Sequence, residues 1–193
     1  LAVAASSRYT ARFGGTVDGG LTAVAHAVNQ VNEVFENDLG VHFTLAANND
    51  RLILTREGRD PFLRADPTPT SAEFIERRLG RAAYDVGHSL TTLSGGESES
   101  ATSCNDDLSA DFHATHKAAA WSGDAIPGSP PAIALMIHML GRQLGAWPTA
   151  NGCGQRTLAD RAVEPGSGST AMGFAATGCG GALATGQRVD IGE

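Results

Sequence analysis

Ile137-His138-Met139-Leu140-Gly141-Arg142-Gln143-Leu144-Gly145-Ala146-Trp147-Pro148 is the stretch whose reading decides the fold. Pro130 and Pro131 suit the first turn of a helix, where a missing N–H leaves no bond unmade. Ala132–Leu144 follows as helix, with Gly145 at its C-terminal end. Ile133, Leu135, Met136, Ile137, Met139 and Leu140 are apolar nearly all round, which predicts a central, buried helix. Residues four apart share a helix face, so His138 and Arg142 project the same way. The plain reading of His138 is a neutral, hydrogen-bonded core histidine, and that of Met172, further along, is core filler.

Outward from this helix, the chain alternates strands and helices. Leu1–Tyr9 is apolar and predicts a first strand. Thr16–Leu39 is the strongest helix: Val17, Leu21, Val24, Val28, Val31 and Phe35 recur at steps of four and three, and Gly40 stops it. Val41–Leu45 alternates as a half-buried strand does; Asn48–Asp50 reads as a turn and Arg51–Thr55 as another strand. Pro61–Pro69 is extended. Thr70–Leu79 predicts a second helix with a capping box from Thr70 to Glu73. Tyr84, Val86, His88 and Leu90 alternate as a strand, Ser94–Asp107 reads as a Gly/Ser/acidic loop, and Lys117–Trp121 as a short edge strand. The order β-α-β-β-α-β-β-α with an irregular tail predicts an α/β fold with a mixed sheet. No internal boundary divides residues 1–193, so a single domain is expected.

With 193 residues, 41% of them hydrophobic and 18% charged, the chain can build one sizeable core. A formal net charge of −7 argues against a nucleic-acid partner, which calls for a basic face. No apolar run nears the roughly 20 residues that span a bilayer. Leu1 opens the chain without a methionine or signal peptide, so a piece of something longer is expected. The three cysteines, Cys104, Cys153 and Cys179, lack C-x-x-C spacing, which disfavours a cysteine zinc site. Cys153 and Cys179 flank the segment after the central helix and could form a disulfide in an oxidising compartment; Cys104 could equally take either partner.

Several separate stretches resemble one family, the reprolysin-like metzincin zinc peptidases, especially their secreted bacterial branch. Thr10–Thr16 with the helix segment Val28-Asn29-Gln30-Val31-Asn32 is similar to that family's opening. Asp38–Leu45 and Asn48–Asp50 resemble its second strand and turn, Tyr84–His88 the strand after its second helix, and Glu164–Met172 the segment entering its Met-turn. The resemblance covers about residues 1 to 181; beyond Cys179 the chain departs from the pattern. It implies a metzincin-like (zincin) fold: a mixed twisted sheet, two long helices, an active-site-type helix and a Met-turn with Met172 beneath the metal site.

The family's site pattern is H-E-x-x-H-x-x-G-x-x-H, three histidines on zinc with a glutamate as general base. On this chain the first histidine is His138 and the glycine is Gly145, but Met139 stands at the glutamate, Arg142 at the second histidine and Pro148 at the third. A thioether takes no proton, a guanidinium repels a dication, and a pyrrolidine ring has no donor atom. No catalytic residue, no cofactor and no metal are therefore expected, with His138 the one ligand retained.

Three functions stay open. The first is a catalytically inactive, metalloprotease-like domain with a binding or structural role in a secreted or cell-surface protein. Its partner would be a protein or peptide, taken up by strand addition between the sheet edge and the central helix. The second is an active zinc peptidase with unusual ligands: His138 joined by His113 or His116, the latter two near Asp111 and Asp107. The third is an architectural, self-assembling subunit of a filament or sheath. His88 reads simply as a strand residue, and His26 lies off the long helix's apolar stripe, exposed. Residues 166–170 lack the Lys-Ser/Thr ending of a P-loop, and no G-x-S-x-G serine elbow occurs.

Overall fold

Strand β1, Ala2–Ala5, is buried on both faces and starts the sheet. A computed structural model describes residues 1–107, 115–149, 160, 163–164 and 170–173. The remaining elements are α1 (Ser7–Ala11), α2 (Val17–Leu39), α3 (Pro67–Leu79), β2 (Gly87–Thr91), β3 (Gly95–Ser98), β4 (Ala120–Gly123) and α4 (Pro130–Gln143), joined in places by short 3-10 turns. The sheet runs β1-β2-β4-β3, with β1, β2 and β4 parallel and β3 antiparallel to β4.

Alternation along β1 divides the core into two. Val3 and Ala5 face a cluster built from Val24, Val28, Val31 and Phe35 of α2 and Ile133, Met136, Ile137 and Leu140 of α4. Ala2 and Ala4 face the other side, where Leu52, Leu54, Phe62, Tyr84 and Ile75 of α3 pack. Among the described residues the result is an α/β layered fold with a mixed four-stranded sheet between α3 and the α2–α4 pair. Among the described residues no helix is long and apolar enough to cross a membrane.

The long helix follows its stripe from Val24 onward, though Val17 at its start is 38% exposed. Thr16 caps it by accepting the Gly19 N–H, and Gly40 at φ 65° ends it in the left-handed conformation that glycine adopts without penalty.

Several predicted strands come out differently. The first ends at Ala5, because Ser6 Oγ accepts the Tyr9 N–H at 3.2 Å and opens α1, so Tyr9 is helical. Residues 41–45 join no sheet. Buried Asn32 of α2 clamps Phe43 from both sides, donating to its carbonyl at 2.9 Å and accepting its N–H at 2.8 Å. A side-chain amide thus does part of what a partner strand would do, joined by Leu1, whose amine donates to the Thr44 carbonyl at 2.9 Å and whose carbonyl accepts the Ala46 N–H at 2.7 Å. Residues 51–55 are likewise not a strand: Asn49–Leu52 is a 3-10 turn, and Ile53 makes a single bridge to Ala5. Asn49 braces β1 instead, its amide accepting the Val3 N–H at 2.8 Å and donating to the Val3 carbonyl at 2.9 Å.

Helix α3 begins at Pro67, not Thr70, because Asp66 caps it by accepting the Thr68 N–H at 3.0 Å. Within the expected loop 94–107 lies β3, the edge strand. The predicted edge strand over 117–121 is β4, shifted to 120–123 and inside the sheet between β2 and β3.

Candidate functional site: the degenerate end of the central helix

Ser129 and Pro130 start α4, the Ser129 hydroxyl accepting the Ala132 N–H at 3.4 Å. At the far end, the Gly145 N–H returns to the Arg142 carbonyl at 2.8 Å and the Ala146 N–H to Gly141 at 2.9 Å. This turn puts Gly145 at φ 107°, a backbone that a side chain would strain.

His138 is buried, and its Nδ1 donates to the Ala171 carbonyl at 2.7 Å. The neutral ring thus carries its proton on Nδ1 and its lone pair on Nε2. Burial is the main reason its pKa falls below the ordinary histidine value; the Arg142 charge lowers it further, and the bond to Ala171 opposes both. A carbonyl behind Nδ1 is also what orients a metal-bound imidazole.

The three altered positions are placed as follows. Met139 is buried against the edge strand: the Ser98 hydroxyl donates to its carbonyl at 3.2 Å and its Sδ at 3.4 Å. A Cβ placed on Gly96 would lie 3.1 Å from Met139 Cε, so the thioether fills the space between α4 and β3. Arg142, one turn beyond His138, is half-buried, with its Nε buried and without a hydrogen-bond partner. No carboxylate of the described residues lies within 4.0 Å of it. Pro148 is half-buried, and the Thr149 N–H beyond it donates to the Met172 carbonyl at 3.0 Å.

Residues 170–173 form a turn beneath α4, closed by a 3.0 Å bond from Gly173 N–H to the Thr170 carbonyl. Met172 is buried there, in the core cluster of α2 and α4. Glu164 fastens the turn. Its carboxylate accepts from the Thr149 hydroxyl at 2.8 Å, the Thr170 hydroxyl at 2.6 Å and the Thr170 N–H at 3.0 Å.

A second polar group lies under the sheet. His88 is fully buried, with Nε2 2.9 Å from Ser122 Oγ and Nδ1 3.4 Å from Gln143 Oε1. Burial lowers its pKa to about 4, against a smaller upward pull from Gln143. Gln143, also buried, donates to the Gly87 carbonyl at 2.9 Å and the Lys117 carbonyl at 3.0 Å. The sequence did not mark Gln143 or Glu164 as site-forming; a buried amide or carboxylate beside the motif is the only signal it offers.

His116 sits on the α3 side of the sheet. Its Nε2–H donates to Glu76 at 3.0 Å and its Nδ1 accepts the Ala118 N–H at 3.1 Å, so both nitrogens are engaged away from His138. His113, Asp111, Cys153 and Cys179 lie outside the described residues. Asp107 and His26 are exposed, and Cys104 is exposed and free. Among the described residues no three His, Cys, Asp or Glu side chains come together as a metal site. A catalytic zinc needs about three protein ligands; His138 offers one, and Met139, Arg142 and Pro148 offer none. The residues at these positions do not fit zinc.

The family model for the M12B reprolysin-like metallopeptidases matches residues 1–192, past residue 181 where the motif resemblance ends. No curated protein matches the chain.

Proposed function

This chain belongs to the M12B reprolysin-like metallopeptidase family, and from that premise we propose that it is a non-hydrolysing member which binds a peptide or protein segment. The observation that carries this reading is Arg142. A fixed cation, half-buried and without an ion pair among the described residues, stands one helical turn from His138, where the family places a second neutral ligand. A guanidinium there repels a dication and cannot be deprotonated to accommodate one. Met139 supports the same reading, because a thioether packed on β3 cannot take a proton from water.

Much of the scaffold around the lost site is still in place. His138 is oriented by Ala171, and Met172 packs beneath α4 as the Met-turn methionine of the family would. Strand β3 lies at the sheet's edge, where an extended peptide can add as a further strand through main-chain hydrogen bonds. Such a role suits a secreted or cell-surface protein in which residues 1–193 act as one binding domain.

Metal analysis of the purified chain, with a quenched-peptide cleavage assay, tests the reading. Zinc well below one equivalent and no chelator-sensitive cleavage are expected. Stoichiometric zinc that disappears in His138→Ala, or cleavage stopped by a chelator, would falsify it.

A further inference from the structure

Helix α2 carries a second row of residues beside its buried stripe. Ala23, Ala27, Gln30 and Val34 each stand one residue before Val24, Val28, Val31 and Phe35, and Asp38 extends the row by one more turn. Steps of four and three keep all five on one side of the helix. This row forms the floor of a groove. An open cavity of about 540 Å³ lies between α2 and the turn at 127–128, walled by Phe13, Ala23, Ala27, Pro127 and Gly128. Gln30 lines this cavity and also a second one of about 380 Å³, which takes in Glu33, Val34, Asn37 and Asp38 of α2 and Pro130 at the start of α4. The groove is open to solvent: Gln30, Glu33, Asn37 and Asp38 are exposed, and Ile126, next to Pro127, is 70% exposed.

The groove changes character along its length. Apolar side chains wall the first cavity, whereas the second carries two carboxylates, Glu33 and Asp38, and two amides, Gln30 and Asn37. Neither lining includes a lysine or arginine among the described residues. The start of α4 at Pro130 contributes about half a positive charge, which two carboxylates outweigh. This end of the groove is therefore negative, on a chain whose formal net charge is −7. It repels a lipid phosphate or a fatty acid, and it attracts a cation. The middle of the Ala23–Ala27 floor and the middle of the Glu33–Asp38 segment are about 16 Å apart at 1.5 Å per helical residue. An extended segment spans that distance in about five residues, and the reach of a basic side chain brings the spacing to about four.

We propose that this groove binds a peptide segment carrying one bulky apolar side chain and, about four residues away, a lysine or arginine. The apolar side chain enters the cavity at Ala27 and Pro127, and the cation lies beside Glu33 and Asp38. Charge complementarity selects this occupant: the apolar wall alone would take many molecules, and the acidic end narrows them to a chain with a cation on it. The described lining of the two cavities contains no residue of β3, so the groove is a second surface, separate from the sheet edge and independent of the reading given above.

Amide NMR of the isotope-labelled intact chain tests the groove, because it reads both where a probe binds and how tightly. The probes are two N-acetylated, C-amidated heptapeptides of glycine and serine, one with a leucine four residues before an arginine and one with the order reversed. At least one of them should shift the amides of α2 and of the 126–128 turn, with a millimolar or lower Kd. Glutamate in place of its arginine should weaken binding by at least about fivefold, and added salt should shrink that difference. Glu33→Gln should weaken the arginine peptide and not the glutamate peptide. Gln30→Trp, at an exposed position that lines both cavities, should block both peptides. Equal binding of the arginine and glutamate peptides assigns the cavity to apolar groups alone and overturns the proposal. No shift at a few millimolar, or shifts confined to β3, overturns it too. None of these results alters the metal and cleavage measurements that decide the proposed function.

Discussion

Gly141 and Met172 are locked together: a Cβ added to Gly141 would come within 2.9 Å of the Met172 sulfur. The glycine lies between His138 and Arg142, directly before the arginine, and lets the 170–173 turn approach the helix. Alanine at 141 gains helix propensity of about 1 kcal/mol but presses on a buried thioether, an overpacking cost of roughly 1–3 kcal/mol. Gly141→Ala should therefore destabilise the protein modestly in urea unfolding. A raised midpoint would show that Met172 is not seated against the helix.

Gln143 bridges strand β2, the turn before β4 and a histidine. Gln143→Leu keeps the volume but leaves His88 and the Gly87 and Lys117 carbonyls short of a partner, at a cost of about 1–3 kcal/mol. Urea denaturation of the variant measures this, and a change within error would mean the network contributes only geometry.

His88 predicts acid sensitivity. Its pKa is lowered to about 4 in the fold from an ordinary histidine value of 6.5, so the folded state binds fewer protons than the unfolded chain below pH 6.5. The stability this neutral ring provides is fully present above pH 6.5, declines as pH falls, and is lost by about pH 4. For His88 the loss is on the order of 3 kcal/mol. His116 and His138 are shifted in the same direction, mainly by burial, and steepen the decline. Unfolding midpoints from pH 7.5 to 4.5 should fall, and less so in His88→Asn. Parallel curves for the two proteins would rule His88 out as the cause.

Lys117 is the sole lysine of the chain and is 3% exposed. Its Nζ donates to the Arg81 carbonyl at 2.7 Å, pairs with Asp106 at 2.5 Å and lies 4.5 Å from the Tyr84 ring centroid. An acylating reagent should leave Lys117 unmodified in the native protein and modify it once urea unfolds the chain, as read by peptide mass mapping. Ready labelling under native conditions contradicts this clasp.

The periodic helices were legible in the sequence because their signal is local. The stripe from Val24 to Phe35 and the apolar run of α4 are buried as their spacing implies. Strand β3 was not legible, since Gly95-Gly96-Glu97-Ser98 carries no β-forming side chains and exists because Gly96 admits the Trp121 carbonyl and Met139. Residues 41–45 have a strand's alternation but are held by Asn32, and alternation cannot distinguish an amide clamp from a ladder. For α3, Asp66 ahead of Pro67 was the better start signal than Thr70, because proline is preorganised for a first helical turn. The departure from the family's site pattern at Met139, Arg142 and Pro148 is a reading of the sequence itself. Gln143 and Glu164 could not, because their partners lie far away in sequence, at 87 and 117 and at 149 and 170.

The bracing of Val3 by Asn49 gives the sheet a direction of growth. With the Asn49 amide and the Ile53 bridge closing the flank of β1, the β3 side is the sheet edge that the described residues leave without a strand partner. A sheet that can be extended from only one flank would join a single neighbour and then stop, so strand pairing of this kind would lead to pairs rather than to fibres.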